Sequence, residues 1–397
     1  VPHSEPTSNP PLPVRLRALA DPVGLRRIHV LAWREYADAE AGGSEVHAHQ
    51  VIRRWAAAGI DVTIRTSAAE GLSATDSRDG YHIVRRGGRY DVFPRAAFRA
   101  ATGGMGPRDG LVEIWNGVPF LSPLWARGPR VVILHHVHGP MWKMALGDRL
   151  GALGEVMERR LAPRLYRRTT ILTLSRSSYD ELVDELGFDP DRVRIIPPGI
   201  EDRFSPGGEK EPAPLVVAVG RLAPVKRFDA LIRTVATIRD RHPGLRLVIV
   251  GEGTERPVLE AEVARLGAGD WISLPGRLPD EEVVDLYRRA WLVTSASAVE
   301  GWGMTLTEAA ACGTPAVASR TTGHLDAVVD GTTGLLAATD EALAGALDEL
   351  LSDHRRRQEM SAAALDWSQR FSWDATSEAV LAALADDATA RGRGRSA

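Results

Sequence analysis

The chain has 397 residues, with 49 lysines and arginines against 52 aspartates and glutamates and a net charge of −3. That length exceeds one ordinary hydrophobic core and implies two domains, while the balanced charge supplies no global field for nucleic acid. A single cysteine, Cys312, excludes an internal disulfide and a cysteine-based zinc cluster, which fits a reducing cytoplasm.

Residues 1–24 carry Pro2, Pro6, Pro10, Pro11, Pro13 and Pro22, and the composition predicts a mobile arm. No basic stretch leads into an apolar run there, so a signal peptide is not expected, and no run approaches the ~18 apolar residues of a membrane span. Arg27–Ala32 reads as the first strand. Ser44–Ala58 carries a helical apolar stripe with Ser44 as the expected N-cap, and DVTIRTS follows as a second strand. Apolar runs recur at Val112–Trp115, Val131–Leu134, Thr170–Leu174 and Val193–Ile196, separated by helical stretches such as Asp148–Arg168 and Ser177–Leu186. Turn residues across Ile196–Pro206 place the domain junction there. A second series follows at 215–220, 247–251, 271–276, 291–295 and 315–319, with helices expected from Phe228 and Thr305. A last helix, Thr376–Ala385, follows a break near Phe371–Trp373, and the tail from about Asp386 is expected to be disordered. Strands alternating with helices in this way predict parallel sheets covered on both faces.

The most informative stretch is Glu300-Gly-Trp-Gly-Met-Thr-Leu-Thr-Glu308, directly after a strand. Gly301 and Gly303 permit a tight turn, and a helix beginning near Thr305 presents backbone N–H groups suited to phosphate. One of these two carboxylates can face a sugar while the other reaches a ribose, although Thr305-x-x-Glu308 also fits a capping box. In Gly220-Arg221…Lys226, a glycine allows close approach and two cations stand at a helix entrance, which suits a diphosphate; a solvated basic loop is the alternative. Gly42-Gly43 closes the first strand–helix loop, where an ordinary turn is the rival reading. His135-His-Val-His138 follows a strand, and a zinc site there lacks an acidic or cysteine ligand nearby. Asp189-Pro-Asp191 reads as a turn. Gly251-Glu-Gly253 is an incomplete dinucleotide loop, since residue 256 is Arg.

The Glu-x7-Glu segment EGWGMTLTEAAACGTPAVAS resembles the signature of the retaining GT-B-fold glycosyltransferases of family four, and the similarity spans most of the chain. The resemblance implies an α/β GT-B fold of two Rossmann-like domains. Residues 25–200 would form the acceptor side and 201–370 the nucleotide-sugar side, and 371–397 would hold a helix packing back on the first domain. The donor would lie in the cleft between them, assembled by closure about the 196–206 linker. The expected catalytic group is His135, Arg221, Lys226 and Glu300, with His136 as the alternative histidine. Gly42, Gly43, Gly220, Gly301, Trp302, Gly303, Met304 and Thr305 would bind the donor, Glu308 its ribose, and the backbone at Arg277 and Leu278 its base.

On this resemblance the chain transfers a sugar from a UDP- or GDP-sugar to a hydroxyl acceptor, in cell-envelope, polysaccharide or glycoconjugate synthesis, with retention, no metal and no cofactor. A sugar-nucleotide epimerase on the same fold and a non-catalytic nucleotide-sugar-binding protein are the alternatives. The expected location is cytoplasmic. The basic amphipathic stretch Asp148–Arg168 would suit the inner membrane face, unless its apolar side packs on the sheet.

Overall fold

The computed structural model describes residues 10–139 and 141–396. The first sheet contains β1 (Arg27–Leu31), β2 (Asp61–Thr66), β3 (Thr75–Arg78), β4 (Tyr81–Arg85), β5 (Gly110–Trp115), β6 (Arg130–Leu134), β7 (Thr170–Thr173) and β8 (Val193–Ile195), in the order β3-β4-β2-β1-β5-β6-β7-β8. The pairs from β4 through β7 are parallel, and β3 is antiparallel to β4. The second sheet contains β9 (Leu215–Val219), β10 (Arg246–Val250), β11 (Ile272–Gly276), β12 (Leu292–Ser295), β13 (Ala316–Ser319) and β14 (Gly334–Ala337). Its order, β11-β10-β9-β12-β13-β14, is the doubly wound 3-2-1-4-5-6 arrangement, parallel throughout.

Burial on both faces explains the near-continuous apolar strands. In β9, Val216 and Ala218 join a core with Leu231, Ile232 and Val235 of the helix Phe228–Ala236. The alternate residues Leu215 and Val217 join the opposite core with Tyr287, Leu306 and Ala309. Strand and helix periodicities therefore converge on two layers around one sheet.

The chain forms two compact units. One comprises 1–134, 164–172 and 373–397, and the other 135–163 and 173–372. The boundaries differ from the expected junction at 196–206 because tertiary contacts capture short segments. The amides of Arg176 and Ser177 donate to Asp326 at 2.7 and 3.0 Å, holding the helix Arg176–Asp180 in the second unit.

Most of the described part of the expected mobile arm, Leu12–Val23, is helical. Leu12–Ala20 is a helix with Pro13 in its first turn and Leu16 fully buried. Its prolines start a helix, where a missing N–H costs nothing. Residues 1–9 of that arm lie outside the described residues. The expected disordered tail is also helical, within Trp373–Ser396. Asp387 is buried there and accepts from the Arg130 amide at 2.8 Å, while Glu378 pairs with Arg15 at 2.8 Å.

The stretch Asp148–Arg168 is helical from Asp148 to Tyr166 and includes a π-helical turn. Gly147, at φ 73°, kinks the chain just before it, and the π-helical turn runs from Met157 to Leu161. Leu150, Leu153, Val156 and Leu161 are exposed, so the reading in which they cover the sheet does not hold. Among the described residues no helix is long and apolar enough to cross a membrane.

Candidate active site

In the second sheet the strand order reverses between β9 and β12, and the loops leaving their carboxyl ends carry the principal motifs. Doubly wound sheets bind ligands at such reversals. The loop after β9 is pinned by buried Leu222 and by a bond from the Ala298 amide to the Val225 carbonyl at 2.8 Å, which joins it to the loop after β12. Gly220 packs against the Lys226 stem, 3.7 Å from where a Cβ would stand. The half-buried Arg227 instead pairs with Asp340 at 2.8 Å. Gly251 and Gly253 serve a backbone crossing. A Cβ on either would come within 1.9 and 2.2 Å of the Gly220 and Leu222 carbonyls. That crossing accounts for these glycines without a dinucleotide.

Glu300 is the electrostatic centre. Its Oε1 accepts from Lys226 Nζ and, at 2.7 Å, from Ser297 Oγ. Burial alone would raise its pKa, but Lys226, His324 and these bonds outweigh burial and hold it near 2. Arg221 is exposed, and among the described residues no carboxylate pairs with it. Ser297 and His324 carry no motif that sequence reasoning could single out, because the fold brings them to Glu300. His324 is fully buried, and its Nδ1 lies 2.8 Å from the Ser319 carbonyl.

The turn Glu300–Gly303 is packed on two sides. A Cβ at Gly301 would stand 2.2 Å from the His135 carbonyl, and one at Gly323 would stand 2.6 Å from the Trp302 amide. Gly303 has φ 103°, which favours glycine, and precedes the helix Met304–Ala311. Gly303, not Thr305, is therefore the N-cap. The amides of Met304 and Thr305 make no hydrogen bond among the described residues. Trp302 turns its indole into the core against Phe371, ring centres 5.1 Å apart, so only its backbone belongs to the turn.

Glu308 forms no capping box, since its carboxylate meets the Tyr287 hydroxyl at 3.4 Å rather than a backbone amide. Burial, with Glu201 adding negative charge, raises its pKa to about 7. Two glutamates on one motif thus occupy opposite environments.

His136, one of the two candidate histidines, is within electrostatic reach of Glu300, Lys226 and Arg221. Burial chiefly, and then the two cations, lower its pKa to about 4, and among the described residues its Nε2 has no hydrogen-bond partner. His135 meets the turn through its carbonyl. His136 and His138 stack with centroids 4.5 Å apart, and among the described residues no three metal-ligating side chains converge.

Arg277 is exposed and Leu278 half-buried, beyond β11. In the other unit, Gly42 rather than Ser44 caps the helix Gly43–Ala57, and its amide donates to Glu45 at 2.8 Å. Ser44 Oγ instead accepts from Asn116 at 3.0 Å. Asp189 accepts from the Asp191 amide at 3.0 Å, an ordinary turn.

Two parallel Rossmann-like sheets, the second carrying a carboxylate–cation group at its reversal, define the GT-B class. A sucrose-phosphate synthase from Thermosynechococcus elongatus aligns with a TM-score of 0.75 at 19% identity, over 89% of this chain and 97% of that one. Anabaena HepE in complex with UDP-glucose aligns at 0.69 and 18%, over 92% and 99%. The family model "Glycosyltransferase Family 4" matches residues 41–204, and "Glycosyl transferases group 1" matches 200–367. The D-inositol 3-phosphate glycosyltransferase of Acidothermus cellulolyticus is 31% identical over 87% of this chain and 86% of that protein. The chain belongs to the family-four glycosyltransferases.

Proposed function

We propose that this glycosyltransferase moves a hexosyl unit from a UDP- or GDP-sugar to a hydroxyl acceptor with retention of configuration and without a divalent metal. The observation that carries the reading is Glu300, held ionised by Lys226 beside exposed Arg221 at the carboxyl ends of β9 and β12. Arg221, Lys226 and the amides at Met304 and Thr305 would take up charge on the departing diphosphate. Glu300 would accept from sugar hydroxyls, and neutral His136 would contribute a hydrogen bond at the reacting face. Glu308 would accept from the ribose. In front-face retention the diphosphate itself helps deprotonate the acceptor, so no protein nucleophile is required.

UDP-glucose, the ligand named for the Anabaena structure, and D-inositol 3-phosphate, named for the relatives, are the first donor and acceptor to assay. Thermal melts against a nucleotide-sugar panel should identify the donor, since a ligand at a hundredfold excess over its Kd stabilises by about 2.7 kcal/mol. NMR of the product should then show the donor's anomeric configuration, with chelator leaving turnover unchanged. An inverted product, an isomerised free sugar nucleotide, or turnover restored only by magnesium or manganese would each contradict the reading.

We also propose peripheral contact with anionic membrane through exposed Leu150, Leu153, Val156 and Leu161, accompanied by exposed Arg149 and Arg159. Salt-sensitive sedimentation with phosphatidylglycerol vesicles, reduced by Leu150→Ser/Leu153→Ser, is expected. Equal sedimentation of both proteins would remove this role.

A further inference from the structure

Glu158 is 1% exposed and lies on the π-helical turn Met157–Leu161, an irregularity that recurs at functional sites. Its carboxylate gathers three N–H donors. Oε1 accepts from the His138 amide at 2.8 Å, and Oε2 accepts from the Gly139 amide at 2.9 Å and Trp142 Nε1 at 3.0 Å. Burial raises its pKa, and these bonds, with the Arg159 charge, oppose the rise. A carboxylate so buried is costly unless donors satisfy it, so its bonds hold the donors' segment firmly.

All three donors lie on the segment that leaves β6, and the helix before Glu158 is cut away to receive it. A Cβ on Gly154 would overlap the Trp142 indole, and one on Gly151 would stand 2.7 Å from the Lys143 Cα. Gly151, Gly154 and Glu158 follow one another along one helix face. Two glycines make room for the segment, and the carboxylate fastens it. The constraint then passes along a stack of rings. Trp142 lies 5.3 Å from His138, and His138 lies 4.5 Å from His136 with the ring planes 22° apart. Burial first, and then His136, hold His138 neutral, so it meets Glu158 through its amide rather than as an ion pair. His136, at the end of the stack, is within electrostatic reach of Glu300, Lys226 and Arg221. All these residues belong to one compact unit.

We propose that Glu158 is a positioning residue for glycosyl transfer: by fixing the His138 backbone and the Trp142 indole, it sets the orientation of the His136 ring. The effect on transfer rests on the reading of His136 at the reacting face; the positioning does not.

Glu158→Gln keeps the shape of the side chain and removes one acceptor. Whichever terminal atom becomes NH2, it faces a backbone or indole N–H. Imidazole NMR of the full chain, labelled with nitrogen-15 at histidine and assigned through His136→Gln and His138→Gln, reads the positioning without any sugar. The His136 and His138 ring signals should shift in Glu158→Gln, while those of His29 and His242 stay in place. Should that variant not fold, Trp142→Phe removes one donor, keeps an aromatic ring and should move the same signals. Unmoved His136 signals in a folded variant would overturn the proposal, as would a shift confined to His138. In initial rates, Glu158→Gln should lower kcat roughly tenfold or more, the loss of a charged hydrogen bond, and leave the donor KM within about twofold. In a His136→Ala background the same substitution should cost no more than about twofold, because residues acting as a unit are not additive. Equal losses in both backgrounds would make Glu158 a support of the fold alone and overturn the proposal. Moved His136 signals in a chain that transfers no sugar would sink the glycosyl-transfer reading and leave the positioning standing, so either can fail alone.

Discussion

Glu300 and Glu308 stand eight positions apart and meet opposite electrostatic environments. Lys226 and Ser297 hold Glu300 near 2, whereas burial takes Glu308 to about 7. Glu300 therefore adds stability that is present above its usual 4.5 and is lost as pH falls toward 2. For Glu308 the folded chain favours the protonated form, so its contribution declines as pH rises from 4.5 through 7. Glu308→Gln should flatten that part of a Tm-against-pH profile, and an unchanged slope would show that burial does not govern this group. Lys226→Ala should reduce turnover roughly ten- to hundredfold, the loss of one charged hydrogen bond. It should also destabilise the chain by leaving Glu300 without its counterion. Wild-type kinetics in a folded variant would make the lysine mere surface charge. The motif residues were legible because their spacing is local. His135 and His136 both stay open from sequence, since a histidine doublet does not reveal which side chain faces the sugar. Ser297 and His324 gave no local signal at all.

At the scale of elements, what places Glu300 is a turn closed by backbone on both sides. Gly301 faces the His135 carbonyl, and Gly323 faces the Trp302 amide. Neither neighbour is a flexible side-chain end. Gly301→Ala should therefore displace the turn, costing on the order of 1–3 kcal/mol, the usual range for overpacking, with a larger proportional loss in transfer than in stability. Thermal melts alongside initial rates check this, and wild-type rates would mean the turn tolerates displacement. Strand positions were readable because both sheet faces are covered and the apolar runs are nearly continuous. Helix starts were less so. Ser44 and Thr305 have the chemistry of caps, but Gly42 and Gly303 occupy those positions. At the chain ends, prolines and charges suggested disorder, yet Leu16 and Asp387 are buried by contacts made far along the chain.

For the molecule as a whole, alternating strands and helices were sufficient to indicate two doubly wound units, but not their boundaries. Residues 373–397 cluster with the first unit, as the resemblance implies, whereas 135–163 join the second through contacts that composition does not encode. The central claim assigns Glu300 to the sugar and Glu308 to the nucleotide, and calorimetric titration tests it most directly. With the identified donor and its bare nucleoside diphosphate as titrants, Glu300→Gln should lose transfer and weaken the sugar nucleotide while leaving the bare nucleotide close to wild type. Glu308→Gln should weaken both ligands together. Loss of the bare nucleotide in Glu300→Gln, with normal binding in Glu308→Gln, would contradict the account.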